Sequence, residues 1–156
     1  AVYLIKDGRE VEGARRDFPL TFRAVDKVPE LLTGFCFGSA YFSRLRPGTH
    51  VLPHCGPCNA RLRLHIPLAL PPAGSFSSRL VAGGEARAWA EGECLMFDDS
   101  YEHEAYHLPR REGWVARSED RVVLVVDCWH PALDPDEREA LRALFPPGLA
   151  GPGGAG

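Results

Sequence analysis

The stretch Arg61-Leu62-Arg63-Leu64-His65-Ile66 carries the pattern that decides the fold of this 156-residue chain. Alternate side chains of a β-strand point to opposite faces of a sheet. In a strand, the three aliphatic residues share one face, and Arg61, Arg63 and His65 share the other. The aliphatic face is typical of a core. The polar face has two interpretations: a solvated outer surface, or a row of cations lining an anion-binding pocket, because the planar guanidinium group suits carboxylates.

Further short strands are predicted on both sides of this one, each bounded by turn residues. Together with this strand, which is predicted to cover residues 61–68, they cover residues 2–5, 41–45, 78–82, 86–89, 94–97 and 122–126. The strands at 2–5 and 41–45 are expected at sheet edges. Gly83-Gly84 indicates a hairpin turn between two of them. Many short strands with few helices predict an all-β fold, and a cupin-like double-sheet jelly roll accommodates the pattern well. An immunoglobulin-type sandwich and a lipocalin barrel explain the histidines less well.

Helical signals lie near the two ends of the chain. Asp134 is a predicted N-cap, Pro135 fits the first helical position and Glu137 completes a capping box. An apolar stripe within residues 141–145 continues this C-terminal helix. A short N-terminal helical turn is expected near residues 27–32.

Length and charge limit the classes of protein that fit. Residues 1–146 are predicted to form one domain, followed by a disordered Pro/Gly-rich tail over residues 147–156. With 18 Lys+Arg and 21 Asp+Glu the net charge is -3, which does not indicate a nucleic-acid partner. No apolar run has the length of a membrane helix, and no signal peptide opens the chain.

The first residue is Ala rather than Met, so the chain is expected to be the C-terminal part of a longer protein. Membrane contact is expected only through a segment upstream of it. With a type II anchor there, the domain would lie in the lumen of the endoplasmic reticulum; without one, it would be cytoplasmic. The oligomeric state is not predicted.

The five cysteines form an odd, scattered set, which is a poor disulfide framework. Cys55 and Cys58 are spaced as a CxxC pair. This pair has a structural interpretation, a turn that contains two small residues, and a functional one as a zinc or redox pair. An oxidising compartment would also allow a bridge between them.

Two histidines sit where predicted strands give way to turns. His54 lies just before Gly56-Pro57, and His103 follows the turn after residues 94–97. Imidazoles from two strand ends at the mouth of a jelly roll can share one cation, and two histidines with a carboxylate and open positions are the usual non-haem iron arrangement. Arg121, at the start of an apolar strand, is either a snorkelling surface residue or the basic partner that a 2-oxoglutarate carboxylate needs.

Five ordered blocks of the sequence resemble one known family. They are PGTH at 47–50, HxGPxN at 54–59, RLRxH at 61–65, FDDSxEH at 97–103 and VDxWHP at 126–131. In order and spacing they resemble the aspartyl/asparaginyl β-hydroxylase family over roughly residues 37–145. Residues 83–92 and 140–145 are most similar to the vertebrate aspartate β-hydroxylase domain-containing group.

The resemblance implies a jelly-roll dioxygenase that uses iron(II), 2-oxoglutarate and O2. It would hydroxylate the β-carbon of an aspartyl or asparaginyl residue in a protein substrate, and the best-known relatives act on epidermal-growth-factor-like domains. His54 and His103 would be the iron ligands. Arg121, helped by Ser43, would hold the distal carboxylate of 2-oxoglutarate, and His65 would contact its metal-proximal carboxylate.

The resemblance also assigns the substrate side and exposes a gap among the ligands. Arg61 and Arg63 would face the substrate, where two cations suit an acidic target. A carboxylate normally stands two residues after the first histidine, but here that position is Gly56, as in the family. We hypothesise that water fills the gap and that Asp99 hydrogen-bonds this water, so that Asp99 joins the two histidines as a catalytic group.

Two other functions remain open for a chain of this family. One is a binding module or inactive pseudoenzyme with the same fold, and the other is a hydroxylase of lipid acyl chains. Between His103 and Arg121, residues 108–120 are expected to be a charged, loop-like insertion.

Several further residues are given structural roles. His50 and His130 are expected to be hydrogen-bonded structural residues, and His107 a loop residue. Trp89 and Trp129 are expected in the core, and Asp127 is expected to bind turn amides. Pro67 removes a donor from its strand.

Overall fold

A computed structural model describes residues 1–110 and 119–149 of the chain. Most of the predicted tail at 147–156 and of the predicted loop at 108–120 lies outside these residues. In the described part, the strands are β1 Val2–Lys6, β2 Arg9–Glu10, β3 Ala40–Leu45, β4 Thr49–His54, β5 Arg61–Ala69, β6 Phe76–Ala82, β7 Glu85–Ala88, β8 Leu95–Phe97, β9 His103–Pro109 and β10 Arg121–Trp129. The helices are α1 Ala14–Asp17, α2 Pro19–Val25 and α3 Pro135–Leu144.

The strands form two antiparallel sheets. The larger sheet has the order β2-β1-β3-β10-β5-β8, and the smaller has the order β4-β9-β6-β7. From β3 to β10 the chain passes back and forth between the sheets, with a single hairpin, β6 to β7, inside one sheet. This is the winding of a double-stranded jelly roll. The predicted all-β jelly-roll fold with a C-terminal helix is therefore confirmed.

The predicted edge positions and the N-terminal helical turn need correction. The strand at 41–45 is β3, which lies between β1 and β10, and β1 is covered by the short edge strand β2. The helical residues are those of α1 and α2, whereas residues 27–32 form turns that end in a bridge from Leu31 to Cys128. A helix is disfavoured there because Pro29 restricts the residue before it.

The two faces of β5 differ as the alternation predicts, but the apolar face points away from the space between the sheets. Leu64 and Ile66 pack outside the jelly roll, in a core with Phe22 and Val25 of α2. The polar face points between the sheets, where Arg61 and His65 are buried. The solvated-surface interpretation of that face is therefore wrong, and the face lines the interior.

Strand β10 follows the same rule. Leu124 and Val126 join the outer core with α2, while Val123 and Val125 pack between the sheets. Arg121, two residues before Val123, lies on the inner side. The larger sheet thus carries its apolar core on one face and most of its polar residues on the other.

Local sequence signals explain two further features. The capping box at the start of α3 is present, with the side chain of Asp134 accepting from the Glu137 amide and that of Glu137 accepting from the Asp134 amide. Pro67 lies at an irregularity in the pairing of β5 with β10, where a ladder donor can be spared. Within the described ranges, no helix of the chain is long and apolar enough to cross a membrane.

Candidate functional site

A cavity of about 460 Å³ opens between the two sheets. All eight predicted site residues line it: Ser43, His54, Arg61, Arg63, His65, Asp99, His103 and Arg121. They come from β3, β4, β5, β9, β10 and the turn after β8. Residues that are scattered over 79 positions of sequence therefore meet in one place.

His54 and His103 are direct cross-strand partners at the ends of β4 and β9. Their ring centroids lie 4.2 Å apart. The pairing of the strands shifts between Val51 and His54, so that β4 carries one extra residue in this interval, which contains Pro53. A bulge of this kind redirects the side chain that follows it, and here it turns His54 toward His103.

Both imidazoles present the same nitrogen to the cavity. The Nδ1 atom of His54 bonds the carbonyl of Leu52 at 2.8 Å, and that of His103 bonds the carbonyl of Tyr101 at 2.9 Å. A carbonyl oxygen can only accept, so each Nδ1 carries a proton and each neutral ring keeps its Nε2 lone pair. Burial lowers the pKa of His103 against the opposing effect of this bond. Two free Nε2 atoms side by side are a pair of metal donors.

The third position of a facial triad is closed by packing. A Cβ atom on Gly56 would overlap the carboxylate of Asp99, and the Gly56 amide donates to the Asp99 carbonyl at 2.6 Å. Within the described residues, no group of three His, Cys, Asp or Glu side chains could hold a metal ion. A metal bound here would therefore have two protein ligands.

Asp99 is fully buried and is held by the two arginines of β5. Arg61 donates to it through Nε at 3.0 Å and through Nη2 at 2.6 Å, and Arg63 lies 3.2 Å away through Nη1. Burial alone raises the pKa of Asp99, but the hydrogen bonds from Arg61 and the charge of Arg63 lower it below the usual value. The carboxylate is therefore ionised. Its predicted role in holding a water beside the metal stays a prediction.

Asp127 completes a network of two arginines and two aspartates. It is the cross-strand partner of Arg63, which donates to it through Nε at 2.8 Å, and it also accepts from Arg61 at 3.2 Å. The amide of Ser39 donates to it at 3.0 Å, as expected of a carboxylate that binds turn amides. The two positive and two negative charges cancel.

This network changes what is expected of the two arginines. Arg61 is almost fully buried and also donates to the carbonyl of Phe37, so its donors are directed at protein groups. Arg63 is less buried, with 14% of its side chain exposed. Substrate contact by either residue stays a prediction, and the geometry favours Arg63 over Arg61.

Arg121 is a buried cation that forms no ion pair within residues 1–110 and 119–149. Its side chain is 2% exposed, its Nη2 donates to the hydroxyl of Ser43 at 3.5 Å, and its Nε and Nη1 have no partner in the described part of the chain. Burial lowers the pKa of Arg121 to about 10, which leaves it charged at neutral pH. An unpaired buried charge is costly, so this geometry is typical of a site that receives an anion.

His65 stands between Arg121 and the histidine pair. The indole Nε1 of Trp89 donates to its Nδ1 at 3.3 Å, so the neutral ring carries its proton on Nε2. Burial, together with the charges of Arg121 and Arg63, lowers the pKa of His65 to about 3. His65 is therefore a neutral hydrogen-bond donor.

The remaining histidines have structural contacts. His50 bonds Glu104 at 2.6 Å, and the Nδ1 of His130 accepts from the amide of Ala132, as their expected roles require. His107 is not a loop residue. It lies on β9, is fully buried and bonds the carbonyl of Glu119 at 2.7 Å.

Two residues of the site region, Tyr41 and Trp89, were not predicted from the sequence. Tyr41 lines the cavity from β3, two positions before Ser43, so that its inward direction follows from the strand period. Trp89 is in the core, as expected, but it also touches both His65 and Arg121. No local signal in the sequence indicates these contacts.

The fold and the cavity define a jelly roll with two histidine donors and a buried cation in one chamber. The family model for aspartyl/asparaginyl β-hydroxylase matches residues 1–131, and the chain belongs to this family. It is 40% identical over 141 residues to human aspartyl/asparaginyl β-hydroxylase, which covers 90% of this chain and 17% of that protein. It is 42% identical over 146 residues to human aspartate β-hydroxylase domain-containing protein 2, which covers 94% of this chain and 37% of that protein.

The same domain-containing protein 2 from Xenopus tropicalis is 40% identical over 146 residues, or 94% of this chain and 37% of that protein. The chain thus spans well under half the length of these relatives. Family membership supports a hydroxylase-type enzyme.

Among solved structures, a cupin protein from Bacteroides fragilis has a TM-score of 0.44 at 12% identity, covering 65% of this chain and 74% of that chain. A predicted oxalate decarboxylase from Thermotoga maritima has a TM-score of 0.42 at 14% identity, covering 60% of this chain and 69% of that chain. The jelly-roll assignment rests on the strand order described above.

Proposed function

We propose that this domain is an iron(II)- and 2-oxoglutarate-dependent dioxygenase that hydroxylates the β-carbon of an aspartyl or asparaginyl residue in a protein. The observation that carries the proposal is that one cavity brings together two histidines whose Nδ1 atoms are occupied by carbonyls and a buried guanidinium group with two nitrogens that have no partner among the described residues. The first would hold a metal, and the second would hold a carboxylate. A cosubstrate that chelates a metal at one end and carries a carboxylate at the other suits both.

The donor set suits iron(II). Neutral imidazole is a common ligand of iron, and two protein ligands leave positions open for a chelating cosubstrate and O2. His54 and His103 would hold the ion, with their Nδ1 protons fixed by Leu52 and Tyr101. Iron and 2-oxoglutarate, when bound, supply the oxidation by O2; the protein supplies placement.

The anion donors suit the two ends of 2-oxoglutarate. Arg121 and Ser43 would bind the distal carboxylate, because Arg121 is buried and retains unused donors. His65 would donate its Nε2 proton to the metal-proximal carboxylate, since Trp89 occupies its Nδ1. The dicarboxylate would thereby neutralise the cation and satisfy a donor that the protein leaves open.

The target side chain would meet the polar wall formed by β5. Arg63 is the more accessible of its two arginines and would donate to the carboxylate or amide of the target. Asp99 and Asp127 hold this guanidinium in place through ion pairs. A human relative is named for aspartyl and asparaginyl hydroxylation, which supports this class of target. The protein partner would be one with such a residue in an accessible loop, and an epidermal-growth-factor-like domain is our first candidate.

Turnover of the cosubstrate tests the proposal. The chain is loaded with iron(II) under anaerobic conditions, mixed with 2-oxoglutarate and O2, and assayed for succinate with and without disulfide-bonded epidermal-growth-factor-like peptides. We expect succinate to rise with the peptide and a target residue to gain 16 Da. Arg121→Gln should abolish both signals. A wild-type chain that forms no succinate and shows no metal-dependent binding of 2-oxoglutarate would make it a binding module rather than an enzyme.

A further inference from the structure

Trp89 contacts both His65 and Arg121 in the cavity. It follows β7 of the smaller sheet, and its side chain is 6% exposed. Its indole Nε1 donates to the Nδ1 atom of His65 at 3.3 Å, and the Cζ atom of Arg121 lies 4.5 Å from the centroid of its ring. One side chain thus contacts a residue of β5 and a residue of β10, which both belong to the opposite sheet.

The contact with His65 fixes which ring nitrogen carries the proton. The indole N–H can only donate, so Nδ1 of His65 must accept and Nε2 must be protonated in the neutral ring. Without this bond, the neutral ring has two tautomers. In one of them Nε2 is an acceptor and would repel an anionic oxygen in the cavity.

The contact with Arg121 is of a different kind. A guanidinium group over an indole face is attracted by the ring quadrupole, and indole is the best of the aromatic side chains for this purpose. The attraction leaves the N–H groups of Arg121 free, and two of its three nitrogens have no partner in the described part of the chain. The ring therefore holds the cation without using the donors that an anion would need.

We propose that Trp89 is a positioning residue that prepares His65 and Arg121 together to bind the two ends of a 2-oxo dicarboxylate. The inference rests on the proposed function, because it names the protein group that arranges the cosubstrate site. It assigns no direct contact with the cosubstrate to Trp89. The proposal has two parts that can be tested separately, because the indole N–H acts on His65 and the ring face acts on Arg121.

Three replacements of Trp89 separate these parts. 3-Benzothienylalanine keeps the size and face of the ring but has sulfur in place of the N–H, so it removes the bond to His65 alone. Trp89→Phe removes the bond and weakens the ring contact, and Trp89→Leu removes both. Trp129→Phe is the matched control, because Trp129 is equally buried but packs with Leu32 and Phe35 in another cluster.

The first measurement is independent of any cosubstrate. The ¹⁵N chemical shifts of the His65 ring report its tautomer in the metal-free protein. We expect the Nε2-protonated form in the wild type and in Trp129→Phe, and a mixture of tautomers in the benzothienyl and Phe variants. An unchanged His65 tautomer in the benzothienyl variant would overturn the inference, even if the proposed function is correct.

The second measurement is binding of 2-oxoglutarate to the Mn(II)-loaded chain in the absence of O2. Losing one hydrogen bond in the donor chain should raise the dissociation constant roughly tenfold in the benzothienyl variant. Trp89→Leu should raise it by roughly another fivefold through the lost cation–π contact. In a His65→Leu background the benzothienyl replacement should have no further effect on affinity, because the side chain at position 65 then has no acceptor for the indole N–H.

The two measurements distinguish the failure of each idea. A wild type that shows the expected tautomer but does not bind 2-oxoglutarate would refute the proposed function and leave Trp89 as the residue that fixes His65. Wild-type affinity in the benzothienyl variant would refute the positioning role while the proposed function stands. Melting temperatures of all variants show that any loss of binding occurs in folded protein.

Discussion

Gly56 lies so close to Asp99 that a Cβ atom added to it would lie 2.6 Å from the carboxylate carbon of Asp99. The ligand missing from the facial triad is therefore excluded by a residue that belongs to the buried ion network. The same Asp99 is bound by Arg61 and Arg63, so it has no freedom to withdraw. Asp99 thus makes glycine necessary two residues after the first histidine.

Gly56→Ala should consequently destabilise the domain by about 1–3 kcal/mol, the usual cost of forcing an added carbon into a packed site. Urea unfolding measures the change. The cost should fall in an Asp99→Ala background, where the carboxylate is gone and the backbone oxygen of residue 99, 2.9 Å from the added carbon, is the remaining close contact with that residue. That background is itself less stable. Equal costs in both backgrounds would show that the clash with Asp99 is not the reason for glycine at this position.

Asp127→Ala should destabilise the domain by roughly 3–5 kcal/mol, because it removes one partner of a buried charge network and leaves two arginines to share Asp99. Asp136→Ala is the control. Asp136 is an exposed residue in the first turn of α3, where its loss should cost only about 0.3–1 kcal/mol. If urea unfolding showed similar losses of stability for the two variants, Asp127 would not be part of a stabilising charge network.

Arg121→Met should affect stability and ligand binding in opposite directions. Replacing a buried cation that has no ion-pair partner in the described structure with an apolar side chain of similar length should stabilise the domain by about 1–2 kcal/mol. Binding of 2-oxoglutarate should weaken at least roughly a hundredfold, through the loss of a bidentate, charge-assisted contact. Arg44→Met is the control, since Arg44 forms a half-exposed ion pair with Asp120 and should change stability by less than about 1 kcal/mol.

His103→Ala should abolish tight binding of a divalent transition metal, with a loss of at least roughly a hundredfold for removal of one of only two protein ligands. Titration with Co(II), followed by its visible absorption, measures the affinity without turnover. His50→Ala is the matched control, because His50 lies on the same strand as His54 but bonds Glu104. Equal affinity of the His103 variant and the wild type would exclude this pair as the metal site.

Acid should destabilise the domain partly through His65. The folded-state pKa of His65 is lowered to about 3 by burial and by the charges of Arg121 and Arg63, below the usual value of 6.5. The unfolded chain therefore binds a proton that the folded chain does not, and stability is lost as the pH falls below 6.5 toward 3. Each such group contributes a slope of about 1.4 kcal/mol per pH unit in this window.

The comparison that isolates this effect is between wild type and His65→Gln in urea unfolding at pH 7, 6, 5 and 4. As the pH falls, the free energy of unfolding of the variant should decrease less steeply than that of the wild type, by about 1.4 kcal/mol per pH unit, the slope of one titrating group. His103 and His107 still contribute to both curves, because burial lowers the pKa of each. Parallel curves would contradict a neutral, buried His65.

The strand alternation at 61–66 was enough to predict which side chains of β5 share a face, because the period of two is a property of the backbone. It could not predict which face points inward. That choice depends on α1 and α2, which cover the aliphatic face from outside. The capping box of α3 was predictable residue by residue, since its three groups are local.

The eight predicted site residues were identified largely through family resemblance, and their meeting in one cavity depends on long-range pairing that no local pattern contains. β4 and β9 carry the two histidines, but they have no regular apolar alternation and were not predicted as strands. The contacts of Trp89 and the ion network around Asp127 depend on residues that are distant in sequence. Such contacts follow from the sheet order and not from composition.

The position of the apolar core outside the jelly roll has a consequence for protein engineering. Phe22 and Val25 are buried against the outward-facing positions Leu124 and Val126, away from the chamber. Inward-facing positions outside the ion network, such as Tyr41 and Ala105, can therefore be randomised with little effect on that outer core. A library at these sites would explore new substrate shapes while the outer core stays intact, with any packing cost falling on the smaller cluster of Leu80, Trp89, Val123 and Val125 between the sheets, which Tyr41 and Ala105 touch.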